Sequence, residues 1–209
     1  MIESYSRLPL GDYIDICRIS QDETREDIDK QVEILAILSG CTTDDILALP
    51  IGEYTRRADK ARFLQEPAPD CGRMAKTYIC GPFTLVPTKD LREITASQFI
   101  DYDTFTKAGM DEHLAEIVSV FLIPKGCRYG DGYDIAEVQQ AVRNDLMVSD
   151  VLAISAFFFE RYIALLRCSL SSSRRALKRV KDEKARKDLE ARITEAETRL
   201  TSAGAGYTT

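Results

Sequence analysis

The sequence predicts a mainly α fold, a multi-helix domain with one small β-hairpin and a long charged C-terminal helix. Three observations carry this. Residues 149–170, SDVLAISAFFFERYIALLRCSL, form an apolar run long enough for several helical turns. Apolar residues elsewhere recur at helical spacing. One short segment, KTYICGPFTLVP, is rich in residues that favour strands.

The elements follow in chain order. Leu10 to Ile19 reads as a weak first helix. A second runs from near Thr24 to Gly40, with Ile28, Val32, Leu35 and Leu38 in helical register and Gly40 suited to the left-handed end position. Thr42 or Thr43 can cap a short helix whose Asp44 and Asp45 favour its positive end, and Pro50 stops it. A fourth helix is expected over about Ile51 to Gln65. Glu66 to Arg73, with two prolines and a glycine, reads as a linker. In the hairpin, Tyr78, Ile79, Phe83, Leu85 and Val86 flank Gly81-Pro82, where Gly81 suits a type II′ turn.

Thr95-Ala96-Ser97-Gln98 has the form of a capping box and opens a helix through about Lys107. A helix from Asp111 carries Leu114, Ile117, Val118, Phe121 and Leu122 and stops before Pro124. Asp134 can cap a helix through Arg143, and Ser149 the long apolar helix. On that helix only Ala153, Glu160, Ala164, Arg167 and Ser171 form a small or polar wedge, so it is a core helix or a partner-binding helix. Phe158 and Leu165 lie opposite the wedge and are expected in the core. Residues 174–200 continue as a charged helix, with Leu189, Ile193, Ala196 and Leu200 spaced as a short heptad seam. An antiparallel hairpin with the preceding helix competes with a coiled coil there. The expected organisation is an N-terminal helical region over 1–66, a linker over 67–74, a hairpin plus helical core over 75–172, and a charged arm with a flexible tail over 173–209.

Composition narrows the function. Hydrophobic content of 44% and charged content of 30% fit a globular chain, and a net charge of −6 argues against a general nucleic-acid binder. The charge is uneven, because residues 171–200 hold ten Lys/Arg against six Asp/Glu. That face is either solvated or a contact for an acidic partner or nucleic acid. The six cysteines form no CxxC and follow no signal peptide, which predicts free thiols in an intracellular protein. The longest charge-free run of the apolar helix, Val151 to Phe159, is far short of the roughly 20 residues that span a bilayer.

No chemistry-bearing set stands out. His113, the single histidine, sits where a surface or capping residue is ordinary. Cys71 and Cys80 lack zinc-ligand spacing. GCRYGDGYD, Gly126 to Asp134, lacks the Gly-Lys-Ser/Thr ending of a phosphate loop, follows a segment that reads helical, and does not match a calcium loop. A structured turn between helices is the better reading. Asp101 and Asp103 do not share a helix face, and the serines of 169–173 lack a glycine elbow. Neither an enzyme nor a cofactor or metal is expected.

Three stretches belong together: EILAILSGCTTDDILALPIGEY, the hairpin with REITASQFIDYDTF, and VFLIPKGCRYGDGYD. Their order resembles small proteins of tailed bacteriophages, particularly those of gut Bacteroidota, and is similar in plan to tail assembly chaperones over roughly residues 30 to 165. The resemblance implies a non-enzymatic role in which tape-measure protein is coated and tail-tube subunits are helped to polymerise. Such chaperones often end in a flexible tail, whereas a long charged helix follows here, which would also suit a structural component of the virion.

The expected function is therefore phage assembly through an apolar or helical partner, in the host cytoplasm or in the virion, with no membrane contact. The candidate partner-binding residues are Phe157, Phe158, Phe159 and Tyr162, together with Arg174, Arg175, Lys178 and Arg179. Homo-oligomerisation is compatible with this. The alternatives are a virion structural component and a nucleic-acid-binding accessory protein acting through residues 174–187.

Overall fold

A computed structural model describes the backbone of residues 1–66, 72–177 and 182–205. Side chains at 159, 160, 162, 163, 165, 166, 169, 192, 195, 196 and 199–205 lie outside the description. The chain divides into two compact units, residues 1–156 and 157–209. Their boundary falls inside a helix, and the N-terminal helices share the first unit with the strands.

Local sequence sets most helix ends in the first unit. α1 (Leu10–Gln21) buries Leu10, Ile14, Ile16 and Ile19. α2 (Asp27–Ser39) buries Val32, Leu35, Ala36 and Leu38. It ends at Gly40, whose φ of 64° lets the Cys41 N–H reach back to the Ala36 carbonyl. Thr42 caps α3 (Thr43–Leu47) in a reciprocal box with Asp45. Pro50 then opens α4 (Ile51–Lys60), which tightens into a 3₁₀ turn over Ala61–Gln65. The expected linker falls mostly on residues 67–71, outside the described residues.

The hairpin forms as expected from β1 (Tyr78–Cys80) and β2 (Phe83–Pro87), around Gly81 at a φ of 52°. Tyr78 and Cys80 turn inward while Ile79 is 79% exposed, the period-two pattern of an edge strand. The sheet holds a third strand. β3 (Leu122–Pro124) pairs antiparallel with β2, so the order is β1-β2-β3. This corrects the single helix expected from Asp111 to Pro124, since α6 covers only Leu114–Ser119. The reason is tertiary. β2's free edge takes up the apolar run through the Thr88 N–H to Phe121 carbonyl bond at 2.8 Å and the Lys125 N–H to Thr84 carbonyl bond at 2.8 Å.

α5 (Ala96–Ala108) carries the expected capping box between Thr95 and Gln98. The buried Gln98 side chain also donates to the Val120 carbonyl at 2.9 Å, which ties α5 to the turn before β3. α7 (Ile135–Asp145) starts on Asp134, whose carboxylate accepts from the Ala136 N–H. It packs on α1, α6 and β1. The α1 contact is close at Gly11, where an added Cβ would lie 2.9 Å from the Arg143 carbonyl oxygen. The segment before α1 closes the unit by pairing with the chain after α7. Leu10 N–H donates to Leu146 O at 2.8 Å and Val148 N–H to Leu8 O at 2.9 Å.

α8 (Val148–Leu177) begins one residue before Ser149, so Ser149 lies inside the first turn rather than at the cap. The polar wedge needs one correction as well. Ala153 is buried, because its part of the helix packs in the first unit, whereas Ala164, Arg167 and Ser171 are exposed. The charged helix expected as one piece over 174–200 is met by two elements, the end of α8 and α9 (Glu183–Ala205). Asp182 opens α9 by accepting from the Ala185 N–H at 2.8 Å. Of the heptad seam, Ile193 is buried and Leu189 half-buried, while Ala196 and Leu200 lie outside the described side chains.

Candidate functional site

The candidate contacts begin where the first unit ends. Phe157 and Phe158 are half-buried, with rings edge-to-face at 5.4 Å between centroids. The guanidinium of Arg161 lies 5.2 Å from the centre of the Phe157 ring, a cation–π distance. Phe159, Tyr162 and Leu165 fall among the side chains outside the description. Phe158 is thus less enclosed than a core residue would be.

Arg174 bonds Glu197 of α9 at 2.6 Å, and Arg175 donates to the Ser171 carbonyl at 3.2 Å. Lys178 and Arg179 lie outside the described residues. At about 1.5 Å per helical residue, Phe158 and Arg174 are roughly 24 Å apart along α8. The candidates therefore form two groups, an aromatic one at the start of the second unit and a basic one near the end of α8.

Two further arginines were missed. Arg161 and Arg167 are exposed, as are Ala164, Cys168, Ser171 and Arg175. On a helix Arg161, Ala164, Cys168, Ser171 and Arg175 step along one face, with Arg167 beside them. The seven-residue steps from 161 to 168 to 175 were the available signal. Leu170, on the opposite side, is buried. Among the described residues, Arg161, Arg167 and Arg175 form no ion pair. In the first unit Arg18, Arg25, Arg56, Arg57, Arg62, Arg92 and Arg143 each pair with a carboxylate.

Elsewhere the polar groups serve structure. A groove of about 790 Å³ along α1 is lined by Asp15, Arg18, Asp22, Arg25, Asp111 and Arg143 among others. Its arginines are held by its own carboxylates, Arg143 to Asp15 at 3.1 Å and Arg25 to Asp22 at 2.8 Å. His113 stands at the start of α6 without a side-chain capping bond. Its ring lies 5.8 Å from Phe105, and its Nδ1, 3.8 Å from Glu116, is buried without a hydrogen bond. It is a half-buried packing residue rather than the surface or capping residue expected.

The loop 126–134 follows a strand, not a helix, which removes one of the two grounds against a phosphate loop. The other remains, because the segment ends Gly132-Tyr133-Asp134 without Gly-Lys-Ser/Thr, and Asp134 caps α7 with its own carboxylate. Three glycines with positive φ shape the loop, and Tyr129 fastens it by donating to Asp101 at 2.7 Å. Burial and that carboxylate push the Tyr129 hydroxyl well above the usual tyrosine range. Asp103 pairs with Lys107, and Ser171 donates to the Arg167 carbonyl. Cys17, Cys41, Cys80, Cys127 and Cys168 are free thiols, and Cys71 lies outside the described residues. Burial raises the Cys80 thiol to about 11. Among the described residues no group of His, Cys, Asp or Glu is placed to hold a metal, and no helix is long and apolar enough to cross a membrane.

The chain matches no family model, no curated protein and no solved structure.

Proposed function

We propose that this chain is a non-enzymatic bacteriophage assembly protein, similar in plan to a tail assembly chaperone, that binds an apolar or helical partner such as a tape-measure protein. One observation carries the reading. The helix that is apolar over most of its circumference continues past the first unit into a second unit that holds one further helix among the described residues. Such a helix needs cover on more than one side. α9 has few large apolar residues, Leu189, Ile193 and Leu200, and offers one narrow seam. A partner would bury the remaining apolar surface at about 25 cal/mol per Å². The half-buried Phe157 and Phe158 would open that contact, with charged residues at its rim setting specificity. The order of the three phage-like stretches supports the same reading, which implies action in the host cytoplasm during assembly.

Co-expression with a tape-measure chain tests it. The expected result is a soluble complex that Phe157→Asp with Phe158→Asp abolishes while both proteins stay folded. A tape-measure chain that stays insoluble with the native protein present would overturn it. Stoichiometric recovery from mature particles would instead favour a virion structural component.

A further inference from the structure

We infer that the arginine face of α8 docks on the acidic first unit of a second copy of this chain. The inference uses the polar side of α8, not the apolar side on which the assembly reading rests, and it stands if that reading fails.

Charge is segregated along the sequence. Residues 1–156 hold 16 Lys/Arg and 27 Asp/Glu, a net of −11, whereas residues 157–209 hold 12 and 7, a net of +5. Among the described residues of the second unit, Arg174, Arg186 and Lys187 pair with Glu197, Glu190 and Glu183. Arg161, Arg167 and Arg175 are exposed and form no ion pair among the described residues, while Arg174 is already held by Glu197. These three arginines, Arg161 over the Phe157 ring and Arg175 donating to the Ser171 carbonyl, span about 21 Å of helix at ~1.5 Å per residue. Ala164, Cys168 and Ser171 lie between them, exposed and small, so an opposing surface can come close enough for guanidinium forks to reach carboxylates.

The first unit supplies the complement. Glu23, Glu26, Asp27 and Asp29, from the loop before α2 and its first turn, are exposed and form no ion pair among the described residues. Arg25, the one cation in that run, is already bound by Asp22 and Glu33. Each copy thus presents a basic face and an acidic one whose charges form no ion pairs among the described residues. Nucleic acid fits the arginines less well, because the chain as a whole carries a net charge of −6. Two different faces meeting make a heterologous contact, which extends head to tail and does not stop at a closed dimer.

Sedimentation velocity on the full chain tests this. At about 50 mM salt the weight-average sedimentation coefficient should rise with protein concentration, and at about 500 mM it should fall to the monomer value. Arg161→Glu with Arg167→Glu and Arg175→Glu should give a monomer at low salt with an unchanged circular dichroism spectrum. So should Glu23→Lys with Glu26→Lys and Asp27→Lys. Mixing the two variants should restore association, since each reversed face then meets its opposite. A native chain that is monomeric at low salt overturns the inference, whether its arginine face is folded onto its own first unit or retards a DNA fragment. Either variant associating like the native chain also overturns it.

Discussion

Leu35, Leu85, Leu122 and Val142 in the first unit are fully buried, whereas Phe157 and Phe158 at the start of the second remain half-buried. The same helix, α8, passes through both settings: Val151 and Ile154 are enclosed, and Arg161, Ala164 and Arg167 are exposed. The difference lies in the neighbours available, not in helix propensity. The first unit packs the start of α8, Val148 and Leu152, against Leu8, Ile16 and Leu38, and among the described residues the second holds one other helix. Arginines divide in the same way, mostly paired with carboxylates in the first unit and mostly unpaired on α8.

The largest expected effect tests whether the core stops near Ala156. Leu85→Ala should cost about 3 kcal/mol, as large-to-small changes at enclosed sites do. Phe158→Ala should cost roughly half of that, because part of its surface is already wet. Urea unfolding of the full chain measures both. Equal costs would mean that the core continues through the second unit.

Gln98→Ala should cost about 2 kcal/mol, since it leaves the buried Val120 carbonyl without its donor. The loss belongs wholly to the first unit, so association at low salt should be unchanged once the variant is folded. Thr95→Ala removes one N-cap and should cost about 1 kcal/mol by the same measurement.

The smallest effect concerns acid. Hydrogen bonds from Arg56 and then Arg57 hold the Glu53 carboxyl down to about 2. Its folded value is below its unfolded one, so its contribution is complete above the unfolded range near pH 4 and is lost as pH falls towards about 2. Glu53→Gln should therefore lose less stability than the native chain between about pH 5 and 2. An identical pH profile would show that the Arg56 and Arg57 contacts do not persist in solution.

What was legible in the sequence was local. The capping boxes at Thr42 and Thr95, the left-handed Gly40 and the Asp134 cap need only residues a few positions apart, and each is present. β3 was not legible, because Leu122–Pro124 takes its conformation from β2, more than thirty residues earlier. An apolar run of that length fits a helix end as well as a strand. Gln98 was readable as a cap but not as the side chain holding the Val120 carbonyl. At the candidate site, the apolar breadth of α8 was plain from spacing. That Arg161, Arg167 and Arg175 form no ion pair among the described residues was not, since it depends on which carboxylates the fold brings near.

Hydrogen exchange on the full chain at low and high salt tests most directly whether the second unit is a docking element and not an extension of the core. At about 500 mM salt we expect β2 and α7 to exchange slowest, and α8 beyond Ala156 to exchange faster than α8 before it. At about 50 mM salt, protection should rise along residues 157–177 and around Glu23–Asp29, and stay unchanged in β2 and α7. Uniform protection along α8 at both salt concentrations, with no change at Glu23–Asp29, would contradict this division of the molecule.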